Sequence, residues 1–312
     1  METRKKPICP MDSIIFNDKK EERAYEELKR LIEGYIIEGK LKTDTCQKLI
    51  CHLEKIKGDT KLLLDYIRCR KDNVNDAWQT IKTYVECRFI HYSNFFRDEN
   101  DEITEKTRWL IRKHVCGMLK NLDKHGRLII YIDTSKWDIN EFSMDDVATA
   151  IIVGCESYWR EPSVQNNGIV VVTNSGGFSG AHAKRFNLHK MIRLRNIHKS
   201  FPVSLQGIFG LEMNITMRIS TNLVMPLFPR KLTSRVSLLM HHDTPLVIRK
   251  HKYDAFLQLY TYSPNEKPTE LHEVASPEIL PDWMGGKLSI EEASEDESYL
   301  EKKLNVVKAA NR

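Results

Sequence analysis

The sequence predicts an α/β protein in which an all-helical N-terminal part precedes a mostly parallel sheet flanked by helices. Apolar residues recur at helical spacing through residues 21–122, and short, fully apolar, β-branched runs then alternate with helical segments. Strands that are apolar on both faces are typical of parallel sheets, because helices cover both sides of such sheets. These two observations together predict the fold class.

The N-terminal part opens with a charged arm, residues 1–20, that shows little periodicity. A helix follows from residue 21, and Gly39 indicates its end. Residues 59–71 continue the helical pattern, and Asn73 or Asn75 is suited to cap the next helix. A last helix covers residues 104–122. The stripes predicted to face inward are Tyr25, Leu28, Ile32, Tyr35 and Ile36, then Val74, Trp78, Ile81, Val85 and Phe89, then Leu110, Ile111, Val115, Met118 and Leu122.

The second part opens with a turn at Gly126 and a strand over residues 128–132. Ser143 caps a helix, and a strand over residues 169–172 lies between an Asn-Gly turn and a glycine-rich loop. A helix over residues 181–198 and strands within residues 201–211 and 235–240 complete the pattern. We expect the acidic segment 290–298, and the polar residues after it, to be solvated.

Composition narrows the function classes. The chain has 312 residues, 41% of them hydrophobic and 29% charged, as in an ordinary soluble globular protein. Its net charge of +5 is too weak to indicate nucleic-acid binding. We find no apolar run near the roughly 18 residues of a membrane-spanning helix, and the first apolar stretch is too short for a signal peptide. Seven scattered cysteines without a CxxC pair indicate free thiols in a reducing cytosol.

One segment resembles an enzyme motif. Residues 177–181, Gly-Phe-Ser-Gly-Ala, nearly match the G-x-S-x-G nucleophile elbow, with Ser179 as the nucleophile. Histidines and aspartates that could assist it lie downstream. Against this reading, Ala181 replaces the last glycine, and about six residues separate Val172 from Ser179, whereas an elbow places serine at the strand end. A strand-to-helix connection capped by Ser179 is the simpler interpretation, and a G-x-G-x-x-G dinucleotide loop is absent.

Two further clusters have plain structural readings. His241, His242 and Asp243 could ligate a metal, but adjacent histidines on a strand point to opposite faces, so we expect no metal site. Lys184, Arg185 and four further basic residues through Lys199 form a basic helix, which is either a solvated face or a patch for anionic lipid.

Several stretches, taken in order, carry a more specific signal. "LLLDYIRCRKDNVNDAWQTIKTYVECR" has paired arginines before a helix with Ala-Trp, and "GRLIIYIDTSKWD" and "NNGIVVVTNSGGFSGAH" contain the first two strands. "FPVSLQGIFGLEMN", "RKLTSRV" and the Leu-Pro…Gly-Gly pattern of "LPDWMGG" follow. Across about residues 20–290, these stretches resemble the CRAL-TRIO (Sec14-like) lipid-transfer family, in the style of animal α-tocopherol and retinaldehyde transfer proteins.

The resemblance implies an N-terminal arm (1–20), a helical N-terminal domain (21–122), a CRAL-TRIO lipid-binding domain (123–290) and a polar tail (291–312). It implies that residues 213–225 form a gate helix over a lipid pocket, although Met213, Ile215, Met217 and Ile219 alternate with polar residues as in a strand. The implied ligand-binding residues are Ala148, Ile151, Ile152, Cys155, Ile169, Val171, Thr173, Phe201, Val203, Leu205, Ile208, Met213 and Met217.

The resemblance also implies a phosphoinositide site at Arg68, Lys231 and Arg235. The sequence departs from the family pattern at Ser204 and Gln206, where basic charge is lost, and at Asn174, where an acidic residue is usual. The chain is longer than the pattern between Arg235 and Leu280, and the role of residues 246–272 is unassigned.

The predicted function is therefore binding of a small hydrophobic ligand or lipid, tocopherol-, retinoid- or phosphoinositide-like, and its transfer between membranes. The resemblance implies no catalytic residue, cofactor or metal, no nucleic-acid partner, and a monomer. It places the protein in the cytoplasm with transient peripheral association with endosomal or other intracellular membranes. The alternatives are a serine hydrolase using Ser179 and a degenerate CRAL-TRIO domain that serves as an interaction module.

Overall fold

The computed structural model describes residues 16–41, 46–96, 103–185, 197, 199–227, 230–240 and 275–310. The chain divides into two compact units, Met1–Trp78 and Gln79–Arg312. The division lies within a helix, so residues 79–122 group with the sheet. The domain boundaries drawn from the sequence stay predictions.

The first unit is helical. Helices α1 (Lys19–Leu41), α2 (Gln47–Gly58) and α3 (Thr60–Cys69) precede α4 (Val74–Glu86), whose first turn lies in this unit. Helix α1 runs two residues past the stop predicted at Gly39. Asp59 caps α3 by accepting a hydrogen bond from the Leu62 amide at 2.9 Å. The core is apolar and fully buried, formed by Leu28, Ile32, Leu49, Ile50, Leu53, Leu63 and Ile67.

The second unit contains a five-stranded sheet in sequential order. Its strands are β1 (Cys116–Met118), β2 (Leu128–Asp133), β3 (Ile169–Asn174), β4 (Leu205–Met213) and β5 (Val236–Met240). Strand β1 is antiparallel to β2, and the remaining pairs are parallel. The predicted mostly parallel sheet is confirmed.

The helices of this unit connect and flank the strands. After α4 the chain forms a π-helical turn (Cys87–His91), a 3-10 turn (Ser93–Phe95) and α5 (Glu105–Arg112). Between strands lie α6 (Met144–Tyr158), α7 (Pro162–Asn167), α8 (Gly180–Arg185), α9 (Ile215–Val224), a 3-10 turn (Met225–Leu227) and α10 (Arg230–Thr233). A 3-10 turn (Asp282–Met284), α11 (Ile290–Ala293) and α12 (Glu297–Ala310) follow the sheet.

Two local signals in the sequence are confirmed. Ser143 caps α6 in a capping box, in which the Ser143 side chain and the Asp146 carboxylate each accept a hydrogen bond from the other's backbone amide. Gly168 of the Asn-Gly turn has φ +82°, and a Cβ there would lie 2.1 Å from the Ser204 carbonyl oxygen. Glycine is therefore required for β3 to begin beside β4.

Two predictions about extent were wrong. The helix predicted over residues 104–122 ends at Arg112, because His114 has φ 51° and residues 116–118 pair with β2 as strand β1. The tail predicted to be solvated instead forms α12, which buries Leu300 and Leu304. Both corrections depend on contacts with distant residues, which helical periodicity does not report.

Alternate residues of the central strands separate the two faces of the sheet. Tyr131, Val172 and Phe209 form a row in a buried cluster with residues 275–293, including Leu280 and Met284 of the Leu-Pro…Gly-Gly stretch. The adjacent row, Ile130, Val171 and Ile208, faces the opposite way. Among the described residues no helix is long and apolar enough to span a bilayer.

Candidate functional site: an apolar cavity beside the sheet

The second face of the sheet lines a cavity of about 340 Å³. Strands β2, β3 and β4 supply one wall, and α6 and α9 supply others. The described lining residues are Leu128, Ile130, Ile132, Thr134, Trp137, Met144, Val147, Ala148, Ile151, Ile152, Cys155, Tyr158, Val164, Ile169, Val171, Thr173, Ile197, Phe201, Val203, Leu205, Ile208 and Met217.

The structure brings every predicted ligand-binding residue to this cavity except Met213. Ala148, Ile151, Ile152 and Cys155 recur on one stripe of α6, as a wall requires. A bulge between β3 and β4 shifts the register after Ile169, so that Leu205 and Ile208, three positions apart, both line the cavity.

Met213 is the exception. It ends strand β4, pairs with Met240 of β5 and is 2% exposed, outside the cavity lining. The strand is irregular between Gly210 and Met213, and Glu212 has φ 51°. Counted by twos along β4, Met213 follows Phe209 and Leu211, which pack on the face opposite the cavity.

The sequence reasoning missed several wall residues. One missed group lies on β2, where Leu128, Ile130 and Ile132 alternate and face the cavity as β3 does. The period-2 alternation of an otherwise apolar strand could have found them once β2 and β3 were taken as parallel neighbours. Trp137 and Tyr158 lie in a loop and at a helix end, where periodicity gives no signal.

One end of the cavity is closed by aromatic rings. Phe201 contacts the rings of Trp159 and Tyr84, with centroids 5.6 and 6.0 Å away. Behind them, Arg88 donates a hydrogen bond to buried Glu156 at 2.6 Å. Neither charge lines the cavity, so this ion pair supports the aromatic plug without meeting a ligand.

The opposite end lies under α9. Asn214 caps this helix by accepting a hydrogen bond from the Met217 amide at 3.0 Å, and its own side-chain amide donates to the Phe178 carbonyl at 2.7 Å. Met217 lines the cavity, while Ile215, Ile219 and Leu223 are 48%, 44% and 67% exposed. The implied gate helix is thus a helix, starting at Ile215, and the alternating pattern was misleading.

The cavity wall is nearly uncharged and its polar atoms are few. Thr134 Oγ1 donates to the Asn174 carbonyl at 2.7 Å, Trp137 Nε1 to the Phe142 carbonyl at 2.9 Å, and the Tyr158 hydroxyl to Glu295 at 2.9 Å. Burial raises the pKa of the Cys155 thiol to about 12, so it stays protonated. Such a wall can hold a hydrocarbon body and offers no charge to one.

Ser179 occupies a helix cap. It lies five residues beyond Asn174, the last residue of β3, so no elbow forms at the strand end. His182 Nδ1 accepts from the Ser179 amide at 3.1 Å and lies 2.8 Å from Oγ, while Nε2 lies 3.1 Å from the Trp137 carbonyl. The group behind the imidazole is therefore a carbonyl and not a carboxylate. This geometry is that of an N-cap.

The predicted phosphoinositide positions differ in their surroundings. Arg68 forms a bidentate pair with the buried carboxylate of Glu21, at 2.6 and 3.2 Å, and this hydrogen bond is the main cause that lowers the Glu21 pKa. Arg235 donates to the Leu205 carbonyl. The side chain of Lys231 lies outside the described residues, as do His241, His242, Asp243 and residues 246–272. Among the described residues no cluster of potential metal ligands occurs.

Comparison with known proteins agrees with this geometry. A model of the CRAL/TRIO domain matches residues 112–253. Human clavesin-2 is 24% identical over 237 residues, and rat clavesin-1 is 24% identical over 234 residues. Each alignment covers 75% of this chain but only 63% and 58% of the relative, so the chain spans less than two thirds of their length. The crystal structure of Sfh5 superimposes with a TM-score of 0.51 at 10% identity, covering 94% of this chain and 97% of Sfh5, which establishes a shared fold.

Proposed function

We propose that the protein binds one small hydrophobic ligand or lipid and transfers it between membranes, since residues 112–253 match a model of the CRAL/TRIO domain. The observation that carries this proposal is the apolar cavity between the sheet and helices α6 and α9. Its volume of about 340 Å³ lies near the lower end of the roughly 300–1,000 Å³ usual for small-molecule sites. A single-bodied ligand fits this volume better than a lipid with two long chains.

The energetics favour such a role. Removing an alkyl chain from water stabilises it by roughly 0.8 kcal/mol per CH₂. An apolar cavity provides an environment similar to the bilayer interior, so a ligand can partition between the two. Transfer then requires the cavity to open. Helix α9 is suited to be the element that moves, because only one side of this helix forms part of the cavity wall.

The outer side of α9 supports membrane contact. Ile215, Ile219 and Leu223 are spaced four residues apart and therefore share one face of the helix. An exposed apolar stripe beside the cavity is suited to insert at a bilayer surface. We propose a transient, peripheral association with intracellular membranes, without a catalytic step, by a protein that acts as a monomer.

Ligand uptake is tested by native mass spectrometry of the protein purified from its own tissue, with extraction of the lipid that co-purifies. We expect one bound lipid per chain. Val171→Trp and Ile151→Trp fill the cavity and are expected to remove it, because a bulky ring occupies the ligand volume. Normal lipid content in both folded variants would refute the cavity as the binding site.

Transfer is tested separately, by following a fluorescent lipid between donor and acceptor vesicles. Ile219→Asp is expected to slow transfer at least several-fold with unchanged ligand capacity, because a carboxylate resists insertion among acyl chains. Ile37→Asp, at an exposed isoleucine of α1, is the matched control. If both variants slow transfer equally, or if neither slows it, the exposed face of α9 takes no specific part in transfer.

Phosphoinositide binding is a further part of the proposal, supported by the positive charges of Arg68, Lys231 and Arg235. Flotation with vesicles containing phosphatidylinositol bisphosphate tests it, using Lys231→Gln because Arg68 and Arg235 also make hydrogen bonds within the protein. Unchanged flotation in the variant would show that this lysine takes no part.

Labelling of Ser179 by a fluorophosphonate, lost in Ser179→Ala, would instead support the hydrolase alternative.

A further inference from the structure

The last turn of α6 lies at the end of the cavity that is remote from α9. Because β2 and β3 are parallel, α6 runs back along them and brings Tyr158 to the end where these strands begin. Helix α9 follows the last residues of β4 and covers the other end through Met217. Tyr158 is a wall residue of the cavity, so its ring takes part in closing the remote end.

Tyr158 is held by residues from the C-terminal part of the chain. Its hydroxyl donates a hydrogen bond to Glu295 at 2.9 Å, and Lys303 Nζ lies 4.0 Å from the centroid of its ring. Lys303 Nζ also donates to Glu161, just beyond the end of α6, at 2.7 Å. Residues 295–303, which follow the Leu-Pro…Gly-Gly stretch, therefore fix both the hydroxyl and the ring of a cavity-wall residue.

Helix α12, which carries Lys303, is attached to its neighbours largely through ion pairs. Glu297 and Glu301, one turn apart, pair with arginines of α5, and Leu300 packs between them in sequence as a buried residue. The partner of Glu297, Arg112, is 47% exposed. Exposed ion pairs each contribute little to stability and are screened by salt. Detachment of α12 therefore requires less free energy than unfolding of the sheet.

The other side of the same α6 turn is held by buried charges. Glu156, two residues before Tyr158, accepts a hydrogen bond from Arg88 at 2.6 Å, and both side chains are buried. The Arg88 guanidinium also lies 5.5 Å from the centroid of the Phe96 ring. Separating a buried ion pair is costly, because it leaves an unpaired charge in the interior. The turn thus has one firmly fixed side, at Arg88, and one salt-sensitive side, at α12.

We propose that residues 295–303 form a strap that keeps the remote end of the cavity closed, and that Glu295 and Lys303 are the residues that position Tyr158. When the strap detaches, the Tyr158 ring loses both contacts and turns away from the wall, which opens a route that does not involve α9. This inference rests on the proposed function. It assigns to the protein a second opening whose rate depends on ionic strength and not on membrane insertion.

Hydrogen exchange of the lipid-free full chain tests the strap without a ligand. Lys303→Met keeps an unbranched side chain but removes the charge, so the amides of residues 155–160 are expected to exchange at least several-fold faster than in the parent. Lys302→Met, at the exposed lysine beside it, is the matched control and should exchange like the parent. Equal exchange of residues 155–160 in the two variants would refute the strap.

The second opening is tested by release of the co-purified lipid to methyl-β-cyclodextrin, an acceptor that has no bilayer. Lys303→Met is expected to release the lipid at least several-fold faster than the parent, whereas Ile219→Asp, on α9, should release it at the parent rate. Unchanged release by Lys303→Met would overturn the inference and leave the proposed function intact. Absence of any bound lipid would refute the proposed function, while hydrogen exchange would still test the strap.

Ionic strength provides a readout that a general loss of stability does not reproduce. Raising sodium chloride from about 0.1 M to about 1 M shortens the Debye length from about 10 Å to about 3 Å. Release from the parent is expected to accelerate several-fold, because the ion pairs of α12 are screened, and Lys303→Met should respond less. Tyr158→Phe, which keeps the ring beneath Lys303 but lacks the hydroxyl, is expected to release the lipid at an intermediate rate. An equal salt response of the parent and Lys303→Met would show that Lys303 does not hold the wall.

Discussion

The two faces of the central sheet have almost the same amino-acid composition, but one face lines a cavity and the other is tightly packed. Val171 and Val172 are neighbours on β3, yet Val171 faces a cavity while Val172 is fully buried between Tyr131 and Phe209. The strands cannot account for this difference, because both rows are apolar and largely β-branched. The cause is what lies opposite each face.

The filled face is covered by residues 275–293, which bring Leu280 and Met284 into contact with the sheet. Gly286 allows this segment to fold back, since a Cβ there would lie 1.8 Å from the Leu280 carbonyl oxygen. The cavity face is covered by α6, whose facing positions include Ala148 and Cys155, and these small side chains leave space unfilled. The empty volume on this face therefore depends on which side chains the covering helix presents to the sheet.

The largest expected effect comes from placing tryptophan on each face in turn. Val172→Trp should prevent folding or destabilise the protein severely, because its row is fully packed. Val171→Trp should fold with a small change in stability, since its ring enters the cavity. Chemical denaturation of the two variants measures the contrast, and similar losses in both would show that the cavity face is as tightly packed as the other.

Truncation should reveal the same asymmetry at a smaller scale. Leu280→Ala on the filled face is expected to cost about 2–5 kcal/mol, which includes the energy of the new cavity. Ile151→Ala on the cavity face should cost roughly 1–2 kcal/mol, because only the loss of buried methyl groups contributes. The comparison is made on the lipid-free protein by urea unfolding, and an inverted order would argue against a pre-existing cavity.

Ligand addition separates the two faces in another way. A ligand at a hundred times its dissociation constant should stabilise the protein by about 2.7 kcal/mol. The Leu280→Ala variant should gain the same stabilisation from the ligand, although it is less stable than the parent without ligand. The Val171→Trp variant should gain none. Thermal melts with and without retinol measure both, and a retained increment in Val171→Trp would place the ligand elsewhere.

The sequence predicted the central strands well because β-branched runs between turn signals are local features. It could not distinguish cavity from core, since Ile130 and Tyr131 belong to equally apolar rows and the empty volume depends on α6. Strand β1 escaped detection because Val115, Met118 and Leu122 continue a helical spacing, and only pairing with β2 makes residues 116–118 a strand. Met213 was assigned to the cavity because the gate segment was taken to begin there, whereas it ends β4 and pairs with β5.

The smallest expected effect on stability concerns the contact between helix α6, which covers the cavity face, and the chain that follows the segment covering the filled face. Tyr158 lines the cavity, and its hydroxyl donates to Glu295, which follows the filled-face segment. Burial raises the pKa of Glu295 above its ordinary value of 4.5. Between these two values the folded state binds more protons than the unfolded state, so stability falls as pH rises through the raised pKa.

Glu295→Gln should therefore remove this decline, so that the variant gains stability relative to the parent as pH rises from about 4 toward neutrality. Glu291→Gln is the control with the opposite sign, because a backbone hydrogen bond is the main cause that lowers the pKa of this exposed carboxylate. Urea unfolding at a series of pH values measures both slopes. A parallel response of the two variants would show that Glu295 is not held in an unfavourable, buried environment, and that the contact between cavity wall and covering segment is solvated.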